Sequence, residues 1–375
     1  MRVIRALATA GVMSSMVLAA FAAPVAAASN TLVVDDDGAQ CKKADFTTIS
    51  AAVTAASAGT KIQVCAGTYT EQVSVPAGKN GLSLEAKGSG TATIKAPAVM
   101  VGNKAIVEVT ASQNVTIKGF TISGPGGGPC DSLRYGVRLQ GGASATIEKN
   151  YITMIQDTPF SGCQNGNAIQ VGRNSEGQTA TAVIKNNVID AFQKSGIVVD
   201  NTGSSADIDH NDLTGVGPTA AIAQNAIQVS RGATANVHHN EISDLQYSPQ
   251  TTFSGGILLY QAGVVNVEHN EIARTDEGLY AFQSDGLTAS HNRSTDNTFD
   301  GFGIDDTTGA TLSHNEADDN GFDGIWVNSD ATGNTFDHNK MSDNAEHDAH
   351  DNAAPGANTW THNNCDTENQ PGLCD

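Results

Sequence analysis

The sequence is short of three things, and each shortage closes off a class of function. It has 20 Lys and Arg against 40 Asp and Glu, a formal net charge of −20, which argues against nucleic acid or an anionic membrane as a partner. It has no second long apolar run after the one from Val12 to Ala23, and a spanning helix needs ~20 such residues. It has no Cys-x-x-Cys pair, so its 6 cysteines read as disulfides rather than as a zinc site.

The one apolar run follows Arg2 and Arg5 and leads to Ala26-Ala27-Ala28. That is the layout of a secretory signal peptide over residues 1–28, and it implies a secreted, extracellular protein. An oxidising compartment agrees with the cysteines. Cys130 and Cys163 occupy matching places in two consecutive repeats and are expected to pair. Cys41–Cys65 and Cys365–Cys374 are expected to staple the two ends.

What the chain has in abundance is self-similarity. Ile147-Glu148-Lys149-Asn150 is echoed by Ile184-Lys185-Asn186-Asn187, Ile208-Asp209-His210-Asn211, Val237-His238-His239-Asn240 and Val267-Glu268-His269-Asn270. Further copies end in His291-Asn292, His314-Asn315, His338-Asn339 and His362-Asn363. The unit is too short and too rich in Gly and Asn for a helix pair, and it suits two or three short strands joined by turns. A second strand closes each unit, as in Gly196-Ile197-Val198-Val199, Gly256-Ile257-Leu258-Leu259 and Gly324-Ile325-Trp326-Val327. Alternation points the apolar residues inward and the residues between them outward. The expected fold is therefore all-β, a right-handed parallel β-helix whose equivalent positions stack into ladders at ~4.8 Å. The Asn of each copy is expected to take the left-handed turn position, and the His column to be a structural stack.

Both ends read as caps. Residues 29–66 hold an opening strand and a short helix with Asp45 or Thr47 as N-cap and Gly59 as stop. The coils occupy 67–357, and a Cys-closed tail over 358–375 ends the solenoid.

On these residues the chain resembles the pectin-lyase-like superfamily, and within it the right-handed parallel β-helix repeat proteins. The segment Gly67-Thr68-Tyr69-Thr70-Glu71-Gln72-Val73 is similar to the opening segment of pectin methylesterases and of many secreted β-helix proteins. The resemblance implies the fold and leaves open lyases, hydrolases, esterases, epimerases and non-catalytic surface proteins. Gln156-Asp157-Thr158 matches a pectin methylesterase motif in letters, but the motifs that should follow it are missing. Gln283-Ser284-Asp285-Gly286 and Asp305-Asp306 stand about one rung apart, as polygalacturonase-type hydrolases would have them. Phe322-Asp323-Gly324 then replaces that family's Gly-His-Gly.

The outward columns can be read without the family. Glu277, Asp300 and Asp323 precede the second strand on three consecutive rungs, and Tyr260, Tyr280, Phe282 and Trp326 share its face. Acids beside exposed rings are what a sugar-binding groove requires. Asp285, Asp305, Asp306 and Asp323 are the acid/base candidates, with Tyr260, Glu277, Tyr280, Phe282, Asp300 and Trp326 as substrate contacts. The same acids suit calcium, which takes six or more oxygens, or they form a plain solvated surface. The expectation is a monomer that cleaves or modifies an extracellular polysaccharide as a glycoside hydrolase or lyase. The alternative is a non-catalytic β-helix that binds glycan, calcium or a cell-surface partner.

Overall fold

The computed structural model describes residues 30–88 and 92–375. The signal-peptide reading falls on residues 1–28 and so lies outside them. Each turn of the chain lays one short strand into each of three parallel sheets. The first sheet runs from Thr31–Val34 to Thr359–Thr361, the second from Val73–Val75 to His347–Asp351, and the third from Gly67–Thr70 to Lys340–Ser342. One rung shows the order: Val265–Glu268 in the first sheet, Glu271–Thr275 in the third, Glu277–Phe282 in the second. The parallel β-helix expected from the repeats is the fold observed.

The register follows from the alternation. Ile147 pairs with Ile184, Ile184 with Ile208, Ile208 with Val237 and Val237 with Val267, and all five side chains are fully buried. A one-residue slip would turn such a column out to solvent, so burial itself pins each strand.

The corner between the first and third sheets corrects the expected division of labour between Asn and His. The left-handed residue is the His: His210, His239, His269, His291, His314, His338 and His362 have φ between 50° and 56°. Histidine is among the few side chains enriched in that conformation. Their rings stack outside the corner, with centroids 4.6–5.1 Å apart. The Asn that follows turns inward instead. Asn240 Nδ2 donates to Asn270 Oδ1 at 2.9 Å and to the Ile208 carbonyl at 3.0 Å, and its main-chain N–H donates to the same Asn270 oxygen. The pattern repeats without a break from Asn150 to Asn363.

The ends close as expected in outline. The helix spans Ile49–Ala55, but its N-cap is Thr48, whose hydroxyl accepts from the Ala51 N–H. Asp45 instead binds the Val33 N–H of the opening strand. Glu71 accepts from the Ile49 and Ser50 N–H groups at 2.9 Å each, so the segment that carried the family resemblance anchors the cap. The last strand of the first sheet, Thr359–Thr361, falls within the tail, and Thr367 and Asn369 satisfy the otherwise open edge of His347–Asp351. All three expected disulfides are present, Cys41–Cys65, Cys130–Cys163 and Cys365–Cys374.

The ladder makes a test. Asn270→Ala strips buried partners from the Asn240 N–H and the Val237 carbonyl, at ~1–3 kcal/mol for each group left bare. Thermal denaturation should show the melting point lowered by several degrees, against little change for His269→Asn at the exposed corner. Equal melting of the two variants would count against the ladder.

Candidate functional site

The longest insertions occur at one corner, between the third and second sheets, and they make the site. Residues 124–134 and 154–166 form long loops tied together by Cys130–Cys163. The strands Asp212–Thr219 and Glu241–Tyr247 run on past the corner side by side, with Thr219 opposite Tyr247. Asp276 closes the last of these loops by accepting from the Tyr247 and Ser254 N–H groups at 2.8 Å. Below Asp276 the corner tightens, and a second amide ladder, Asn297–Asn320–Asn344, takes over. The inserted wall therefore stands over the upper rungs of the second sheet and stops where the bare rungs begin.

Between wall and sheet lies a cleft of about 630 Å³, within the usual size of a small-molecule or sugar site. Its sheet side carries Leu258, Tyr260, Tyr280, Phe282 and Asp305, and its wall carries Gln164, Ile222, Tyr247 and Phe253. Tyr260 and Phe282 stack at 5.6 Å between centroids, while Phe253 meets Tyr280 edge-on at 4.9 Å. These flat, partly exposed rings offer a platform to the apolar face of a sugar.

Asp305 closes one end of the cleft. It accepts from the Tyr280 hydroxyl at 2.5 Å and from the Asn328 amide. Burial and the Asp305 hydrogen bond push the Tyr280 phenol well above its ordinary value. Tyr280 lies over Gly303, where a Cβ would come 2.7 Å from the ring and 3.6 Å from Glu277 Oε2, so only glycine permits this packing. Glu277 Oε2 is buried there with no hydrogen-bond partner. Burial, followed by the Asp300 charge, raises the Glu277 carboxyl well above its ordinary value. Burial also pushes Asp300 up to about 7, although it accepts a hydrogen bond from the Asp323 N–H.

The expected residues separate into four groups. Tyr260, Tyr280, Phe282 and Asp305 line the cleft. Glu277 and Asp300 lie on the same face but are buried rather than outward, at 6% and 9% exposure. Asp323 and Trp326 belong to lower rungs, where Asp323 pairs with His347 and His350. Asp285 and Asp306 sit at the next corner, outside the cleft. Asp306, in the left-handed conformation, accepts from the Gln283 amide, and Asp285 accepts from the Thr308 N–H. Asp157, of the Gln-Asp-Thr match, is a buried anchor that binds Ser132, Asn165 and Gln193 to hold the inserted loops.

Among the cleft residues that the sequence reading missed, one carries a charge. Lys194 reaches in from the turn before Ser195–Asp200, and its Nζ donates to the Ala223 carbonyl at 2.7 Å. Burial lowers it to about 8. It stacks between Gly166 and Gln224, a position whose residue type does not recur on the neighbouring rungs, so periodicity gave no signal for it.

A family model described as "Right handed beta helix region" matches residues 56–223 and 167–341. No curated protein matches the sequence. Among solved structures, the chain is similar to a lacto-N-biosidase from Eubacterium ramulus (TM-score 0.59, 12% identity, 90% of this chain and 67% of that one). It is also similar to the Dettilon tailspike protein (0.55, 15%, 84% and 68%) and to an alginate lyase from Paenibacillus sp. str. FPU-7 (0.51, 13%, 84% and 96%). Identities this low describe a common fold.

The buried carboxyl gives a pH prediction. A raised folded-state pKa stabilises the fold fully below the ordinary value of 4.5, and this is lost as pH climbs toward the folded value, at about 1.4 kcal/mol per pH unit. Glu277→Gln should therefore melt progressively higher than the parent protein as pH rises from about 5 to 8. Parallel melting curves across that range would show that Glu277 is not held neutral.

Proposed function

The chain belongs to the right-handed β-helix family, and we propose that within it this protein is a secreted enzyme that hydrolyses an extracellular polysaccharide in the cleft of its second sheet. The observation that carries the reading is the meeting, around Gly303, of two unlike carboxyl groups. Glu277 is buried with an unpartnered oxygen, in surroundings that favour its protonated form. Asp305 lies at the cleft surface and is oriented by Tyr280 and Asn328. Gly303 and Asp305 are two residues apart on one face, ~6.6 Å along a strand.

In the proposed reaction Glu277 gives its proton to the glycosidic oxygen as the bond to the leaving sugar breaks. Asp305 acts on the sugar carbon from the other side, either by taking a proton from the attacking water or by attacking directly to form a glycosyl ester, which a water deprotonated by Glu277 then cleaves. The rings of Tyr260 and Phe282 hold the sugar in place. The three disulfides support an extracellular setting. Two of the similar folds carry glycan-cleaving enzymes by name, which agrees with this substrate class.

Lys194 favours a second reading. An amine lowered to about 8 inside the cleft suits removal of a proton beside a carboxylate, the step that starts elimination from a uronic acid. A panel of neutral and acidic polysaccharides separates the two readings. Hydrolysis releases reducing ends without ultraviolet absorbance from an unsaturated product, and elimination yields both. For the hydrolase, Asp305→Asn and Glu277→Gln should each lower kcat by ~10²-fold or more, with Lys194→Met mainly raising KM. Parent-level turnover in both carboxyl variants would remove the proposed centre.

A further inference from the structure

A cluster on the first and second rungs below the cleft takes no part in the proposed reaction. Asp323 begins the strand Asp323–Val327, and the next rung, His347–Asp351, sets His347 beside Asp323 and His350 beside Trp326. The Asp323 carboxylate, 2% exposed, stands between the two imidazoles. Its Oδ1 is 3.4 Å from His347 Nδ1 and its Oδ2 is 2.7 Å from His350 Nδ1. Glu346 adds an exposed carboxylate, and one ligand atom from each of the four residues lies within 4.8 Å of the others.

Two observations point to a cation here. His347 Nδ1 is buried and has no hydrogen-bond partner. His350 faces an acceptor at each ring nitrogen, Asp323 Oδ2 at Nδ1 and Asn352 Oδ1 at Nε2, 3.1 Å away. A neutral imidazole has one N–H and satisfies only one of the two. A metal at Nδ1 resolves the conflict and leaves Nε2–H donating to Asn352, the outer hydrogen bond that metal-bound imidazoles ordinarily make. Among the described residues, no Lys or Arg forms an ion pair with Asp323 or Glu346.

We propose that Asp323, Glu346, His347 and His350 form a binding site for one divalent transition-metal ion, with zinc the best match. Two imidazoles and two carboxylates suit zinc and its neighbours. Calcium takes six or more oxygens, so this donor set does not serve it. Metal–ligand bonds of ~2.0–2.2 Å span at most ~4.3 Å between two ligand atoms. Tetrahedral zinc sets its ligand atoms ~3.3–3.6 Å apart, so side-chain movements of up to about 1.5 Å close the site from the 4.8 Å spread seen here. The site goes beyond the glycan reading and does not depend on it.

The test uses the whole protein, stripped with EDTA and titrated near neutral pH with zinc chloride by calorimetry, with cobalt absorption read in parallel. One tight equivalent is expected above weaker binding by the exposed His stack. His347→Gln with His350→Gln should weaken the tight equivalent about 100-fold or more and abolish the cobalt bands. Glu346→Gln, at an exposed position, should weaken it about tenfold while the fold stays intact. His291→Asn with His314→Asn should leave it unchanged. Absence of a tight equivalent in the parent protein, or its survival in both the His347/His350 and Glu346 variants, overturns the site. Glycan turnover is not a readout, so failure of the hydrolase reading and failure of this site remain distinguishable.

Discussion

The amide hydrogen bond from each corner asparagine to the next is the constraint on which the rest of the structure depends. Each Asn side chain is buried, where an unpaired amide costs ~1–3 kcal/mol, and its partners lie on the rungs before and after it. Asn240, for example, satisfies the Ile208 carbonyl on one side and meets Asn270 on the other. A rung shifted by one residue would break both contacts and also turn its apolar column outward. Two independent penalties thus enforce the same register, and the exposed histidines need only tolerate the left-handed backbone that the turn requires.

A corner held this tightly has no room for insertion, and the variation in rung length appears elsewhere. Its longest insertions fall between the third and second sheets, where no amide ladder forms until the Thr275 N–H donates to Asn297. The inserted loops are not loose additions. Asp157 and Gln193 knit two of them together, and Asp276 ties down the last. The cleft thus forms at the boundary between two corner types, one open to insertion and one closed by Asn. Rigid rungs set the sheet side of the cleft, and anchored loops set its wall.

This division explains what could be read from the sequence. The rungs, the columns, the disulfide pairs and the aromatic face were legible because each repeats, and repetition in sequence becomes stacking in space. The exchange of roles between His and Asn was not, because both side chains tolerate the left-handed conformation. What decides between them is which amide can reach the neighbouring backbone, and that is known only once the rungs are stacked. Asp285 was grouped with Asp305 by the one-rung spacing of a hydrolase-type motif, and Asp306 by adjacency along the chain. The left-handed turn at Asp306 separates them, sending one carboxylate to the cleft and the other to the corner. Thr48 displaced Asp45 and Thr47 as the cap because Asp45 is engaged by the opening strand. The residue type at Lys194 does not recur on neighbouring rungs, so nothing periodic pointed to it.

The overall charge of −20 argued against attraction of acidic polymers, but charge is sorted along the second sheet. Upper rungs carry Arg134, Arg138, Arg173 and Arg231, while lower rungs carry Glu277, Asp300, Asp305 and Asp323. Most of the upper cations are already neutralised: Arg134 by Asp131, Arg138 by Glu176, Arg231 by Asp200. Lys194 forms no ion pair among the described residues and meets only a carbonyl oxygen. A ligand in the cleft therefore faces one unneutralised amine and one oriented carboxylate. Charges more than ~10 Å away on the solvated surface are screened at ordinary salt. Local arrangement, rather than net charge, governs what the cleft can hold, and an amine and a carboxylate set among aromatic rings suit a sugar chain with few charges better than a densely anionic one.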